Sequence, residues 1–485
     1  MKKVFFRADA SSTIGYGHFV RSLALADMLK DDFDCTFFTI SPSEYQIKEM
    51  RGICKYVELK EETKLEDFLA YLTGEEIIVL DNYFFTTDYQ REIKARGSKL
   101  VCIDDMHDKH YVADIVINHG VTDDALFDIE PYTKLCLGLD WALLRAPFLK
   151  PITKRKRNND IVVCFGGADP YRITDKIVSI LLSSEISETI TVILGNSTQL
   201  NQEFYPKINV AKNLTASEMA ILFDQAKFGI FSSSGISIEA ISRGLPIIFG
   251  YYIDNQRGLY RTILKKETVV GVGDLKELSE QTLLNAIKYL TNSSSEKNSK
   301  DSDRGNFVEI KKNYIALFKE LHTITLLQQD FKQGRLHFVN YINCSLQLHQ
   351  DILALRNSEQ IRRWMASQEL ISEDSHLKYV DILKNRRDKC YFAVLVDNVL
   401  MGTINLSYES PGIWERGLFT SPDAQGSGFT LKMESALAQR CKKLGIHHFT
   451  AKVISTNIRS VKYHQKAGYQ ECRKDGDYLY FIKQL

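Results

Sequence analysis

Over the first 150 residues, short, mainly apolar runs alternate with segments whose apolar positions recur at helical spacing. The runs are Val4 to Phe6, Cys35 to Ile40, Ile77 to Leu80, Leu100 to Ile103 and Ile115 to Ile117. Strands apolar on both faces and separated by helices predict a parallel sheet covered on both sides. The pattern restarts after the basic connector Lys154 to Arg157 with Ile161 to Phe165. It continues through Ile190 to Leu194, Phe228 to Phe231 and Ile247 to Phe249. Two successive α/β lobes are expected, residues 1–150 and 151–327, with a ligand cleft between them.

Residues 291–306 are almost wholly polar and aperiodic, which predicts a mobile surface loop, and helical spacing resumes from Phe307 to Leu321. A linker is expected at residues 328–334. From 335 to 485 the pattern changes. Helical segments around Ile352 to Met365 and His376 to Lys384 precede a hairpin, Tyr391 to Val396 and Met401 to Leu406, joined through Asp397-Asn398. A glycine-rich turn, a long amphipathic helix, a strand and another helix follow, giving a mixed α+β domain. The total of 485 residues fits roughly three folding units at about 150 residues each.

Lysine plus arginine number 62 and aspartate plus glutamate 61, so no global charge draws the chain to nucleic acid or an anionic membrane. The nine cysteines are scattered singly, which argues against a disulfide framework and for a reduced cytoplasm. No Cys/His spacing suggests a metal. The N-terminal apolar run is too short for a signal peptide, and no run of about 18 apolar residues predicts a membrane span.

Candidate chemistry begins at Asp9, which follows the first strand. Gly15-Tyr16-Gly17-His18 then opens a helix, at the position where open α/β sheets bind ligands. Glycine permits close backbone approach or positive φ, and an imidazole can accept a proton from water at neutral pH. Taken alone, the turn also fits a helix-capping histidine. In the second lobe Gly166-Gly167 follows a strand. Ser232-Ser233-Ser234-Gly235 follows another and opens a helix, whose free N–H groups suit a diphosphate or are simply well capped. Glu239 lies one turn in, where it can accept from ribose hydroxyls, and Asp254-Asn255-Gln256 points to the same cleft.

Together these motifs resemble the nucleotide-sugar hydrolases of pseudaminic acid biosynthesis, relatives of the glycosyltransferases with two Rossmann-like lobes of glycosyltransferase B type. The resemblance covers residues 1–325. It implies UDP in the second lobe and His18 as the catalytic base. Ser233, Ser234, Gly235, Glu239, Asn255, Gln256 and Gly167 would hold the nucleotide sugar, with Asp9, Gly15, Gly17 and Tyr83. Asp81-Asn82-Tyr83 and Asp104-Asp105 line the sugar side or serve as turn residues at strand ends. UDP leaves as a stable anion, so the reaction needs charge stabilisation and a base for water more than a general acid.

In the last domain Gln425-Gly426-Ser427-Gly428 leads into a helix, and Asn457 and Tyr463 precede Lys466-Ala467-Gly468-Tyr469. That order resembles the GCN5-related N-acetyltransferases, which implies acetyl-CoA as co-substrate. Gln425, Gly426, Ser427, Gly428, Thr430 and Asn457 would hold the coenzyme, and Tyr463 would protonate the departing thiolate. Thr430 stands where a smaller residue is expected. Glu415, His376 or an ordered water would take the proton of the acceptor amine. Arg356-Asn357, Ile361 to Met365, Ile371-Ser372 and His376-Leu377 resemble the acetyltransferase of the same pathway. Trp364 is thereby expected at the substrate, although Trp364 and Met365 also fit a core pattern.

The two resemblances imply consecutive reactions in one chain: N4-acetylation of a UDP-linked 4-amino sugar, then hydrolysis to UDP and free sugar. Neither calls for a metal. Expected partners are the UDP-linked amino sugar, acetyl-CoA and other enzymes of the pathway, with no nucleic acid and no membrane. Two other readings keep the folds: a glycosyltransferase joined to an acetyltransferase of a different acceptor, or a binding protein with one inactive domain.

Overall fold

The computed structural model describes all residues except 11–15, 152–156, 159, 167–168, 185, 196–199, 213, 267, 294–306, 387, 411 and 425. Gly15, Gly167, Gln425, the basic connector at 154–156 and most of the polar 291–306 segment therefore lie outside the described residues. The chain forms two compact units, Met1–Phe318 and Lys319–Leu485. The division falls inside the helix Ile310–Leu327.

The first unit holds two parallel sheets. The seven strands of the first run in the order Lys55–Leu59, Asp34–Ile40, Lys3–Arg7, Ile77–Leu80, Lys99–Ile103, Ile115–Asn118 and Lys134–Leu137. All neighbours are parallel. The order reverses between Lys3–Arg7 and Ile77–Leu80, and in an open sheet the crevice at the carboxyl ends of that strand pair is where ligands bind. The second sheet repeats the plan with Asn209–Lys212, Thr189–Leu194, Asp160–Cys164, Phe228–Ser232, Ile247–Tyr251 and Val269–Asp274. Its switch point lies between Asp160–Cys164 and Phe228–Ser232, immediately before Ser233 and Ser234. Central strands such as Ile77–Leu80 and Phe228–Ser232 are buried along their whole length, which is why their runs are apolar throughout. Four further strands, Lys55–Leu59, Lys134–Leu137, Asn209–Lys212 and Val269–Asp274, escaped the hydropathy pattern. They are the sheet edges, keep polar or partly exposed positions, and carry no continuous apolar run.

The second unit is built on one eight-stranded sheet. The hairpin of Lys389–Val396 and Val399–Ser410 turns at Asp397 and Asn398, whose φ values of 50° and 65° are those of a type I′ turn. Residues 328–334, expected as a linker, contain the strand Phe331–Gln333, paired antiparallel to Leu336–Asn340. Phe331 stacks on Phe338 at 4.2 Å between ring centroids, and this single aromatic anchors a segment that is otherwise polar. Alternation divides the sheet into two faces. Phe392, Ile404, Leu406 and Trp414 meet Met433 and Leu437 of the helix Phe429–Lys443. Ala393 and Leu395 meet Ile352, Val380 and Leu383 of the helices Leu346–Asn357 and Glu373–Asn385.

All strands of this sheet are antiparallel to their neighbours except one pair. Ile413–Thr420 runs parallel to His448–Ile454 and pairs with it only through Ile413, Trp414 and Glu415. Beyond Glu415 the two strands part. No described helix is long and apolar enough to cross a membrane.

Candidate active sites

The helix Gly17–Leu29 begins at the switch point of the first sheet and brings three polar residues onto Asp81, which ends the neighbouring strand. Asp81 Oδ1 lies 2.7 Å from His18 Nδ1, and Asp81 accepts from Arg21 Nε at 2.7 Å and Ser22 Oγ at 3.0 Å. His18, Arg21 and Ser22 are spaced by one helical turn, so one face of one helix presents all three. A carboxylate on Nδ1 favours the tautomer with its proton there and the lone pair on Nε2. Arg21 Nη2 also approaches Nδ1, at 3.1 Å, but both are then donors and Asp81 is their common acceptor. Burial favours a protonated Asp81, yet the Arg21 cation and the hydrogen bonds from Arg21 and His18 outweigh it and hold the carboxyl down to about 2. The ring of Tyr83 stands edge-on to His18 at 4.7 Å. A pocket opens here, lined by His18, Arg21, Asp81, Asn82, Tyr83 and Asp105.

The second lobe reaches this pocket through Asn255, whose Nδ2 donates to Tyr83 Oη at 3.1 Å. Tyr83 in turn donates to Asp105, which also receives Arg21. Asn255 Oδ1 and Asp105 Oδ1 are buried without a partner among the described residues, so two acceptors stand ready for donors on a ligand. Thr262 Oγ1 donates to Gly120 O across the same lobe boundary, and a Cβ on Gly258 would meet Val121 Cγ1 at 2.8 Å. Glycine there is a condition of the close approach of the lobes.

The structure distinguishes the two anion-suited turns. At Gly166 (φ 93°) the following helix, Ile173–Ser183, has its first N–H groups filled by the Asp169 carboxylate, which accepts from Ile173 and Thr174 at 2.9 and 2.7 Å. By contrast, the helix Gly235–Ser242 starts from Ser234 without a side-chain cap and without an acid in its first turn. Ser234 Oγ is 3.1 Å from Ser232 Oγ, Ser233 Oγ is buried without a partner among the described residues, and Gly235 has open space where a Cβ would stand. This second turn is free to receive an anion. Glu239 is buried and takes both its oxygens to Arg145, at 2.7 Å from Nε and 2.7 Å from Nη2. Gln256 Oε1 accepts from Tyr252 N, so its carbonyl shapes the loop before it reaches any ligand.

Other expected residues have structural duties. Asp9 is buried in a bidentate pair with Arg7 and also accepts from Ile40 N, while its backbone exchanges hydrogen bonds with Asn82. Its carboxylate is thus spent on the protein. Gly17 sits in the helix with helical φ and an open Cβ position, so neither positive φ nor close approach demands glycine there. Arg21, Arg145 and His119 were missed in the sequence as site residues. Burial and the Arg21 cation push His119 down to about 4, which places a second, neutral imidazole within electrostatic range of Asp105 and Asp81.

In the second unit, Gly426 and Gly428 hold φ of 80° and 74°, so the turn needs glycine at both positions. Gly428 leads into Phe429–Lys443, a helix with no side-chain cap, no acid in its first turn, and Arg440, Lys442 and Lys443 in its last. Ser427 Oγ donates to Ala424 O and accepts from Phe429 N, and Thr430 follows in the first turn. Asn457 caps Ile458–Lys466 through Oδ1 to Ser460 N at 3.1 Å, fixing the helix that carries Tyr463. Its Nδ2 takes no part in that cap.

Tyr463 Oη donates to Glu434 at 2.8 Å. Glu434 is buried and also paired with Arg416 at 3.0 Å and Lys483 at 2.9 Å. On the opposite face lie Glu415, at the end of the short parallel pairing, and His376, whose Nε2 is 3.2 Å from His349 Nδ1. Burial lowers the pKa of both histidines, which favours their neutral forms. Trp364 is 37% exposed with Arg363 over its ring, hence outside the core.

His464 is buried beneath Tyr463, with Nδ1 on Ser460 O at 2.7 Å and Nε2 accepting from Arg416 at 2.8 Å. Burial and then Arg416 push it down to about 4. A histidine with a depressed folded-state pKa stabilises above its ordinary value of about 6.5 and loses that contribution as pH falls through the folded value. The second unit is therefore expected to lose about 3 kcal/mol between pH 6.5 and 4. Hydrogen exchange of the helix Ile458–Lys466 across this range checks it, and His464→Gln should flatten the dependence.

Comparison with known proteins agrees with this division. Residues 358–469 match the Acetyltransferase (GNAT) family. An uncharacterized protein of Methanocaldococcus jannaschii is 23% identical and covers 99% of both chains. The UDP-2,4-diacetamido-2,4,6-trideoxy-beta-L-altropyranose hydrolase of Campylobacter jejuni is 28% identical over 54% of this chain and 97% of that protein. Acetyltransferase PseH of the same species is 26% identical over 29% of this chain and 88% of that protein. The chain joins an N-terminal region similar to that hydrolase to a C-terminal domain of the acetyltransferase (GNAT) family.

Proposed function

We infer that the chain is a bifunctional enzyme of pseudaminic acid biosynthesis that acts in the cytoplasm. The C-terminal domain transfers an acetyl group from acetyl-CoA to the 4-amino group of a UDP-linked 4-amino-4,6-dideoxy-N-acetyl-altrosamine. The N-terminal region, as two glycosyltransferase B-like lobes, then hydrolyses UDP-2,4-diacetamido-2,4,6-trideoxy-β-L-altropyranose to UDP and the free sugar. The observation that carries the reading is the His18–Asp81 pair at the switch point, joined through Tyr83 to Asn255 of the lobe that bears the uncapped Ser234–Gly235 turn.

In the hydrolytic half, His18 Nε2 takes a proton from water as its oxygen bonds to the anomeric carbon and the C–O bond to UDP breaks. Asp81 fixes the tautomer and balances the imidazolium. The helix start at Gly235 supplies positive potential for the diphosphate. In the acetylating half, the gap beyond Glu415 admits the thioester between the strands. Tyr463 meets it from one face, while Glu415 and His376 line the other. The uncapped start of Phe429–Lys443 and the glycine turn before it suit the coenzyme's pyrophosphate.

Hydrolysis in H218O tests the first half. The label is expected in the free sugar and not in UDP. Label in UDP would mean attack at phosphorus, and absence of free sugar would favour transfer to another acceptor.

A further inference from the structure

The group nearest the Tyr463 hydroxyl is a carboxylate that no part of the acetyl-transfer chemistry above employs. Glu434 lies in the second turn of the helix Phe429–Lys443, on its buried side, with 1% of its surface exposed. Acidic residues are almost never buried so completely unless paired. Oε2 receives the Tyr463 hydroxyl at 2.8 Å and Arg416 Nη2 at 3.0 Å, and Oε1 receives Lys483 at 2.9 Å. Among the described residues the other acceptor near the Tyr463 hydroxyl is Thr430 O, at a poor 3.5 Å. Around the phenol stand Arg416 from the strand Ile413–Thr420, His464 from its own helix, Tyr469 after that helix and Lys483 from the last strand.

We propose that Glu434 is a positioning residue for Tyr463: it holds the phenol's proton in the resting enzyme and, balanced by Arg416 and Lys483, governs its transfer to the departing sulfur. This rests on the acetyltransferase reading. The amine nitrogen bonds to the thioester carbonyl carbon, the C–S bond breaks, and sulfur leaves with its electron pair. The Tyr463 proton passes to sulfur, nitrogen loses its extra proton to solvent, and the phenolate regains one from water. A resting thioester sulfur is a weaker acceptor than a carboxylate, so the hydroxyl stays on Glu434. A developing thiolate is strong enough to draw it away.

The charges favour this order. With Glu434 ionised, the two cations leave the cluster one positive charge in excess, and the phenolate cancels it. Burial and Glu434 both raise the proton affinity of Tyr463, and Arg416 opposes them. His464, held neutral, adds no charge.

The test places 3,5-difluorotyrosine at position 463 of the full chain and follows its protonation by 19F NMR. Glu434→Gln should lower the titration midpoint by about one pH unit or more, since a neighbouring negative charge is lost. Lys483→Met should raise it, because Glu434 is then less well balanced. It also carries the test if Glu434→Gln fails to fold. With tyrosine at 463, Glu434→Gln should lower kcat for acetylation about tenfold, a part of what a positioned acid contributes, with an unchanged KM for acetyl-CoA. Equal midpoints overturn the proposal, and so does a shifted midpoint with unchanged kcat. A wild-type chain that acetylates no UDP-linked amino sugar would instead sink the functional reading, while the midpoints still report the coupling.

Discussion

An alanine at position 18 is expected to lower UDP release from the diacetamido sugar nucleotide by about three orders of magnitude, within the range for a positioned general base. UDP binding should survive, because the groups suited to the diphosphate belong to the second lobe. Asp81→Asn is the sharper variant. It keeps the size of the side chain, yet an amide can donate to Nδ1 and so favour the tautomer with its proton on Nε2. A comparable loss of turnover is expected, with Kd for UDP changed by less than about threefold. Steady-state kinetics paired with calorimetric UDP titration measures both. Asp81 also anchors Arg21 and Ser22, so hydrogen exchange of the helix Gly17–Leu29 serves as the control for local folding.

Tyr463→Phe should reduce acetyl transfer by about a hundredfold while leaving hydrolysis of the already acetylated nucleotide sugar at the wild-type rate. Loss of the hydroxyl removes one hydrogen bond to Glu434, but Arg416 and Lys483 still satisfy that carboxylate, so the fold should tolerate the change. Coenzyme A release, read with a thiol reagent, checks the first statement, and UDP release checks the second. If both activities fell together, the two sites would not be independent.

Much of this was legible because the chemistry sits where strands end. The continuous apolar runs located every central strand of both parallel sheets, and Asp397-Asn398 announced the hairpin turn that the backbone adopts. His18 opens the helix after the first strand, Ser234 and Gly235 follow Phe228–Ser232 directly, and those positions nominated them as candidates. Arg21 and Ser22 had a readable signal, their helical spacing from His18. Partners distant in sequence had none: Arg145 pairs with Glu239 across 94 residues, and Lys483 with Glu434 across 49. Sequence also could not distinguish a carboxylate used on the protein from one offered to a ligand. Asp9 and Asp81 both follow strands of the same sheet, yet one is consumed by Arg7 and the other holds an imidazole. Trp364 shows the converse limit, since helical spacing suggested a core position and the side chain stands partly in solvent.

The serial arrangement of two activities is tested most directly by one time course. The full chain is incubated with the UDP-linked 4-amino sugar, with and without acetyl-CoA, and UDP, coenzyme A and free sugar are followed together by NMR. Coenzyme A should appear first and free diacetamido sugar with UDP afterwards, with little UDP released when acetyl-CoA is withheld. Coenzyme A release that is never followed by UDP, or rapid UDP release without acetyl-CoA, would contradict the account.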